Sequence, residues 1–243
     1  MANTYQGRGL HGDVVETVAT RITSGRYQPG DLIFAESLER DLGVSKTVVR
    51  EALKVLAAKG LVESRPKRGT TVRPRASWNL LDPDLLRWRG GHPDPGFLRD
   101  LSEVRSIVEP EGARLAAGRH EPADLADLDA ALDAMAAPEA SPSQLVEADL
   151  AFHRALLRAA HNELLSRMEV VIEAALRVRD QLVHGTGRGA DALAEHQAIA
   201  DAVRARDAAA AAGATRSLLT RAMTDEQASL RNVAHTPKEG PVR

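Results

Sequence analysis

The stretch GVSKTVVREALKVLAAKGLVESRPKRGTTV, Gly43 to Val72, decides the fold of the N-terminal third of this 243-residue chain. Its first half has helical spacing: apolar side chains share one stripe, and three cations fall at i, i+4 and i+8 on another face. The cations are Lys46, Arg50 and Lys54, and Ser45 stands where a helix N-cap is expected. The pattern predicts a helix with one face for packing and one for a partner.

The residues before this helix complete a helix-turn-helix. Apolar residues at helical spacing predict a first helix over 10–26, and Leu38 with Leu42 indicates a short second helix. The tight turn at 43–45 joins the second helix to the third. In such a motif the N-terminal part of the last helix reaches base edges in the major groove, whereas Lys54, further along, is expected at phosphate or in solvent.

A basic hairpin follows the helix. Two short β-like runs, 61–64 and 70–73, flank the sequence Arg-Pro-Lys-Arg-Gly at 65–69, which predicts a wing whose tip approaches phosphates or the minor groove. The order and compact spacing of helix, turn and wing indicate double-stranded DNA as the partner. The expected DNA-contacting residues are Ser45, Lys46, Thr47, Arg50, Lys67, Arg68 and Gly69.

The charge distribution agrees with a DNA-binding head on a different body. Residues 1–75 carry 13 basic and 8 acidic side chains, whereas the remainder carries 19 basic and 26 acidic ones. A small basic module joined to an acidic one is typical of a protein that binds a polyanion at one end.

The composition excludes several kinds of chemistry. The chain has no cysteine, so thiolate nucleophiles, iron–sulfur clusters and cysteine-based zinc sites are ruled out. Neither a signal peptide nor an apolar run of membrane-spanning length is recognisable, so we expect a cytoplasmic protein with no membrane partner.

The motif around the third helix closely resembles that of GntR-family bacterial transcription regulators. Their usual pattern is Gly-Val-Ser-Arg-Thr-x-Val-Arg-Glu-Ala-Leu, and this chain reads GVSKTVVREAL over 43–53, followed by Gly-Leu-Val at 60–62 and Arg-Gly-Thr at 68–70. The resemblance implies DNA-contact roles for the matching side chains. Two positions depart from the pattern: Lys46 replaces an arginine, and Glu36 stands where the family often has one, so the operator sequence does not follow from the resemblance.

An apolar segment follows the wing. We expect residues 76–94, which contain both tryptophans, to form an interdomain linker that docks on the second domain through the two indoles. Within the GntR family, its Trp-Asn-Leu-Leu-Asp-Pro sequence resembles regulators of sugar-acid (aldonate) catabolism, such as the galactonate regulators.

The rest of the chain predicts a helical bundle, so the fold class is mainly α: a winged helix-turn-helix over 1–75 and an all-helical domain over 95–231. Residues 232–243 lack periodicity and are expected to be a disordered tail. The expected helices of the bundle, six or seven in all, span 95–119, 122–136, 143–160, 162–184, 188–206 and 208–231.

A candidate metal site lies in this bundle. Asp149 and His153 are four residues apart on one helix face, and His196 lies on a later helix that is otherwise built for burial. The body resembles the FCD ligand-binding domain of FadR-like GntR regulators, whose metal-binding members use such residues and one more histidine. The matching position here is Leu218, so the resemblance implies three protein ligands for a divalent ion such as Zn²⁺. His161 is an alternative fourth ligand, although a position at a helix end favours a surface role.

Arg105 is the candidate effector-binding residue. The family resemblance places it in the effector pocket, where a guanidinium offers two parallel donors to a carboxylate. An ordinary ion pair with Glu109, four residues on, is the plainer interpretation, and the two are compatible.

These features predict a homodimeric repressor that binds operator DNA and responds to a small carboxylate, for which an aldonate is the preferred class. Two alternatives are a metal-dependent enzyme built on Asp149, His153 and His196, and a structural nucleoid-type DNA protein. No general base or nucleophile elbow supports the enzyme. The glycine-rich run 185–189 resembles a phosphate loop but lacks the preceding strand, which favours an interhelical turn.

Overall fold

The computed structural model describes residues 9–65, 68–182 and 190–235 of the chain. The chain divides into two compact units, residues 1–94 and residues 95–243. Each unit is built around its own buried apolar cluster.

The first unit is a winged helix-turn-helix, as the sequence predicts. Its three antiparallel strands are arranged in the order β1-β3-β2. The elements are α1 (Leu10–Thr23), β1 (Leu32–Ile33), α2 (Ala35–Leu42), α3 (Lys46–Ala58), β2 (Val62–Arg65) and β3 (Gly69–Val72).

Local sequence explains the turn between α2 and α3. Gly43 ends α2 with a φ of 65°, a left-handed conformation that suits glycine. Ser45 then caps α3, and its side chain accepts a hydrogen bond from the backbone N–H of Val48. The apolar stripe of α3, including Val49 and Leu56, is buried against the rest of the unit. The basic face of α3 is therefore directed away from the core.

Strand β1 was not predicted from the sequence. Leu32 and Ile33 pair with Thr71 and Thr70 of β3, which adds an edge to the wing. Two residues are too few to show the alternation that marks a strand, so only tertiary pairing defines it. The predicted wing residue Lys67 lies outside the described residues.

The segment after the wing packs on the first unit, and both indoles that we expected to meet the second domain lie in the core of the first. It contains a 3-10 turn at Arg75–Ser77 and helix α4 (Pro83–Gly90). Trp78, Leu85 and Trp88 belong to the same buried cluster as the winged helix. The indole N–H of Trp88 donates to the Glu16 carboxylate of α1 at 2.7 Å, so a polar contact fixes the helix as well.

A buried ion cluster also holds α4. The ammonium of Lys59 lies 2.8 Å from the Asp82 carboxylate and 2.7 Å from that of Asp84. The Lys59 side chain is only 12% exposed, and that of Asp84 is fully buried. Removing the cation would leave a buried carboxylate with less charge compensation, which is a costly arrangement in a protein interior.

We expect Lys59→Met to lower the free energy of unfolding of the first unit by about 3 kcal/mol. Urea denaturation followed by tryptophan fluorescence measures this unit selectively, since both tryptophans lie in it. Lys54→Met is the matched control, because the Lys54 side chain is 73% exposed in its ion pair with Glu51 and exposed pairs contribute about 0–1 kcal/mol. Equal losses in the two variants would contradict a structural role for the cluster.

The described part of the second unit consists of seven helices, in agreement with the predicted bundle. Their order is α5 (Pro95–Arg119), α6 (Pro122–Ala136), α7 (Pro142–Ala159), α8 (Glu163–Arg167), α9 (Glu169–Leu182), α10 (Ala190–Arg204) and α11 (Ala208–His235). The helix expected over 162–184 is instead two helices, interrupted at Met168. Helix α11 continues to His235, beyond the expected start of a disordered tail at 232, and residues 236–243 lie outside the described part. Within the described ranges, none of the helices has the length and apolar character needed to cross a bilayer.

Candidate DNA interface and metal centre

The predicted base-reading residues share one exposed surface of the first unit. Ser45 precedes α3, Lys46 and Thr47 lie in its first turn, and Arg50 follows one turn later; all four are exposed. Arg68, at the tip of the wing, is also exposed. The structure thus leaves these side chains accessible, which a groove-reading role requires.

Glu36 modifies this surface. Its carboxylate lies 3.0 Å from the ammonium of Lys46, and both side chains are more than half exposed. Glu36 stands where the family often has an arginine, and Lys46 replaces another arginine of the family pattern. The Glu36 carboxylate therefore partly neutralises the Lys46 ammonium. In the described structure the two departures are adjacent in space.

The three predicted metal ligands converge in the second unit. One ligand atom from each of Asp149, His153 and His196 lies within 4.8 Å of the others, and all three residues are buried. The Asp149 Oδ1 atom is 3.3 Å from His153 Nε2 and 3.1 Å from His196 Nε2. Helix α7 supplies the first two residues and α10 the third, so the fold brings together positions that are 47 residues apart in the chain.

The surroundings of the two imidazoles direct their Nε2 atoms to a common point. The Nδ1 atom of His196 bonds to the backbone oxygen of Ala192 at 2.6 Å. His153 Nδ1 lies 2.8 Å from Glu109 Oε2. Neither nitrogen of His153 makes a hydrogen bond of good geometry within the described residues, despite these ion-pair distances. A buried imidazole nitrogen in this position, beside a carboxylate and a second imidazole, fits the donor set of a divalent ion.

Charges are strongly coupled at this centre. Burial raises the pKa of the Glu109 carboxyl, but Arg105 and His153 outweigh it and lower the pKa to about 2. Burial lowers the pKa of the His153 imidazole, but Glu109 and Asp149 raise it to about 9. The pKa of Asp149 lies well below its usual range because contacts with His153 and His196 outweigh burial. Without a metal, His153 is therefore protonated at neutral pH.

This protonation predicts a pH-dependent stability of the chelator-treated protein. Because the folded pKa of His153, about 9, exceeds the ordinary value of 6.5, its contribution is complete below pH 6.5 and is lost as the pH rises through 9. We expect the free energy of unfolding to fall by about 3 kcal/mol over that interval. Urea denaturation at several pH values measures it, with His92→Gln as an exposed control. A His153→Gln variant with the same fall would contradict the assignment.

His161, the alternative fourth ligand, does not join the cluster, and Leu218, at the position of the family's last histidine, offers no ligand atom. Leu218 is 5% exposed and belongs to the apolar core of the bundle. His161 bonds to Asp124 at 2.7 Å, and its side chain is 42% exposed, which agrees with the surface role. With the ligands that the described residues offer, a further coordination position of a bound ion would fall to water or a ligand molecule.

Arg105 is buried in an ion pair with Glu109 and also lines a small pocket of the bundle. Arg179 and Ser102 are polar residues of the same pocket. The remaining walls are apolar, formed by Leu98, Leu101, Ala175, Leu219, Ala222 and Met223. The two guanidinium groups are of the kind that bind carboxylates, but the cavity volume is only about 20 Å³, so an organic acid would require the walls to move.

The sequence did not identify Glu109 as a neighbour of the metal ligands. It was expected only as a partner of Arg105 on the same helix. Helix α5 lies close to α7 at Gly112, where a Cβ atom would lie only 2.7 Å from Leu157 Cδ2. A glycine inside a predicted helix can indicate close packing against another helix. Gly112, one turn after Glu109, was such a sign in this part of the sequence.

Comparisons with known proteins agree with this architecture. Residues 10–72 match the model of the gntR family of bacterial regulatory proteins, and residues 100–221 match the FCD domain. A structure of Lar, which controls expression of the agr system of Listeria monocytogenes, aligns with a TM-score of 0.65 over 92% of this chain and 99% of that one. At 17% identity this likeness supports the fold alone.

Two curated relatives are transcription regulators. The galactonate operon transcriptional repressor of Escherichia coli is 36% identical, over 85% of this chain and 92% of its own length. A putative L-lactate dehydrogenase operon regulatory protein of the same species is 30% identical, over 83% of this chain and 80% of its own length. The chain is thus a regulator and not the metal-dependent enzyme considered above. Its two domains and these relatives place it in the GntR family of bacterial regulatory proteins, among the members that carry an FCD domain.

Proposed function

We propose that the protein is a homodimeric repressor of sugar-acid catabolism that releases its operator when a small carboxylate, an aldonate by preference, binds near a metal ion. The observation that carries the proposal is its 36% identity to a galactonate operon repressor over nearly that protein's whole length. The first unit contributes DNA binding through Lys46, Thr47, Arg50 and the wing. Two-fold symmetric proteins match two-fold symmetric sites, so a pseudo-palindromic operator is expected.

The second unit supplies the effector site in this proposal. Asp149, His153 and His196 would hold the ion, for which Zn²⁺ suits the mixed nitrogen and oxygen donors. A bound ion would act as an electrostatic anchor for an acid. Arg105 lines the pocket and pairs with Glu109, which lies beside His153, and it would hold a carboxylate of the same acid. Ligand binding would favour one packing of the bundle and so change the spacing of the two DNA-binding units of a dimer.

Thermal melting against a panel of acids tests the effector class. The panel contains galactonate, gluconate, L-lactate and succinate, each with and without a chelator. We expect one aldonate to raise the melting temperature and the chelator to remove the rise, because a ligand that binds only the folded state stabilises it. A rise with L-lactate alone would replace the aldonate by a smaller hydroxy acid. No response to any acid, with DNA binding intact, would contradict the proposed pocket.

A further inference from the structure

Three buried charges connect the pocket to the metal-ligand cluster. Arg105 is 6% exposed, Glu109 1% and His153 1%. Arg105 lines the pocket, His153 is one of the three clustered ligands, and Glu109 lies between them. The two halves of the proposed effector site are thus joined through a single carboxylate.

The Glu109 carboxylate contacts both halves. Its Oε1 atom accepts a hydrogen bond from Arg105 Nε, and its Oε2 atom accepts a longer one, of 3.5 Å, from Arg105 Nη2. Glu109 Oε2 lies 2.8 Å from His153 Nδ1. Glu109 and Arg105 belong to α5, whereas His153 belongs to α7. The packing of these two helices therefore places the carboxylate beside the imidazole.

We infer that Glu109 is a positioning residue that couples acid binding at Arg105 to metal binding at His153. This inference rests on the proposed function, whose effector site it deepens. A carboxylate 2.8 Å from Nδ1 attracts the ring proton to that nitrogen, restrains the imidazole and makes Nε2 a stronger ligand. An acid that engages the Arg105 guanidinium competes with Glu109 for it. Glu109 then acts more strongly on His153, and the metal is held more tightly.

The coupling is reciprocal. If the acid strengthens metal binding by some factor, the metal strengthens acid binding by the same factor. A chelator thus weakens acid binding even where the acid makes no direct contact with the ion. We therefore expect each ligand to strengthen the binding of the other.

Titration with Co²⁺ alone tests the positioning role without any acid. Competition with a chromophoric chelator gives the affinity, and the visible absorption of bound Co²⁺ reports ligand geometry. We expect Glu109→Ala to weaken Co²⁺ binding by about 10–100-fold and to alter the spectrum. Glu109→Gln should lie between, since an amide oxygen can face the Nδ1 proton but lacks the negative charge of the carboxylate. Glu111→Gln, an exposed carboxylate on the same helix, should match the wild type. Wild-type affinity and spectrum in Glu109→Ala would overturn the inference.

A second variant separates positioning from folding. Glu109→Ala removes a carboxylate partner of the buried Arg105 guanidinium, which can destabilise the bundle. The double variant Arg105→Gln with Glu109→Gln removes both charges and keeps two amides in their place. We expect it to fold, by circular dichroism, and to bind Co²⁺ like Glu109→Gln. A folded double variant with wild-type Co²⁺ affinity would also overturn the role of Glu109.

Adding galactonate as the probe acid tests the coupling itself. The wild type should bind Co²⁺ at least about fivefold more tightly with galactonate than without it, whereas Glu109→Gln should show little change. A gain that persists in Glu109→Gln would place the coupling elsewhere. If galactonate leaves the Co²⁺ affinity of the wild type unchanged, the proposed effector is contradicted. The comparison of Co²⁺ affinities among the variants without acid still tests the positioning role of Glu109.

Discussion

Arg50→Ala is expected to abolish selective operator binding and to leave metal binding intact. Arg50 is exposed on α3, on the surface that also carries Lys46 and Thr47. A bidentate arginine contact to a base contributes about 1–3 kcal/mol of discrimination, which is roughly 5- to 150-fold for each half-site. Fluorescence anisotropy measures the loss, with a duplex selected by the wild type from a random pool and a scrambled duplex for comparison.

Two further variants make this result specific. Arg158→Ala removes the same charge from an exposed position of the second unit and should bind both duplexes as the wild type does. Lys54→Ala should weaken both duplexes similarly and reduce the salt dependence, as a phosphate contact would. If Arg50→Ala retained selective binding, α3 would not be the recognition helix.

The second large effect is expected for His153→Ala, which should lower Zn²⁺ affinity more than about 100-fold. The variant loses one of three clustered ligands and leaves the Asp149 and Glu109 carboxylates without the imidazole between them. Competition with a chromophoric chelator measures the affinity. We expect operator binding to persist in the absence of acid, because the substituted residue belongs to the other unit.

His161→Ala is the matched control for this variant, since His161 is half-exposed and bonds to Asp124. It should bind Zn²⁺ as the wild type does. Unchanged Zn²⁺ affinity in His153→Ala would place the metal elsewhere. If Arg50→Ala and His153→Ala each lost operator binding as well as metal binding, DNA binding and metal binding could not be assigned to separate units.

The helices were predictable because their signals are local. Ser45 at an N-cap and a prolonged apolar stripe define α3 within its own sequence. The same holds for the bundle, where prolines begin α5, α6 and α7. Strand β1 and the docking of α4 depend on partners distant in the chain, and no local pattern encodes them.

The metal-ligand cluster was predictable only with the family resemblance. Asp149 and His153 share a helix face by spacing alone, but pairing them with His196 requires knowledge of how α10 packs. Glu109 shows the limit of this approach. Its spacing from Arg105 indicates an ion pair, whereas its contact with His153 depends on how α5 packs against α7. Tertiary packing gives that carboxylate its second partner.

The most direct test of the account is the operator affinity of the Zn²⁺-loaded protein with and without the aldonate identified by melting. We expect the acid to weaken operator binding by roughly 5- to 150-fold, the usual range for coupled sites, and the effect to disappear in His153→Ala and after chelation. Operator affinity that the acid leaves unchanged in the metal-loaded wild type would contradict the claim that this site controls DNA binding.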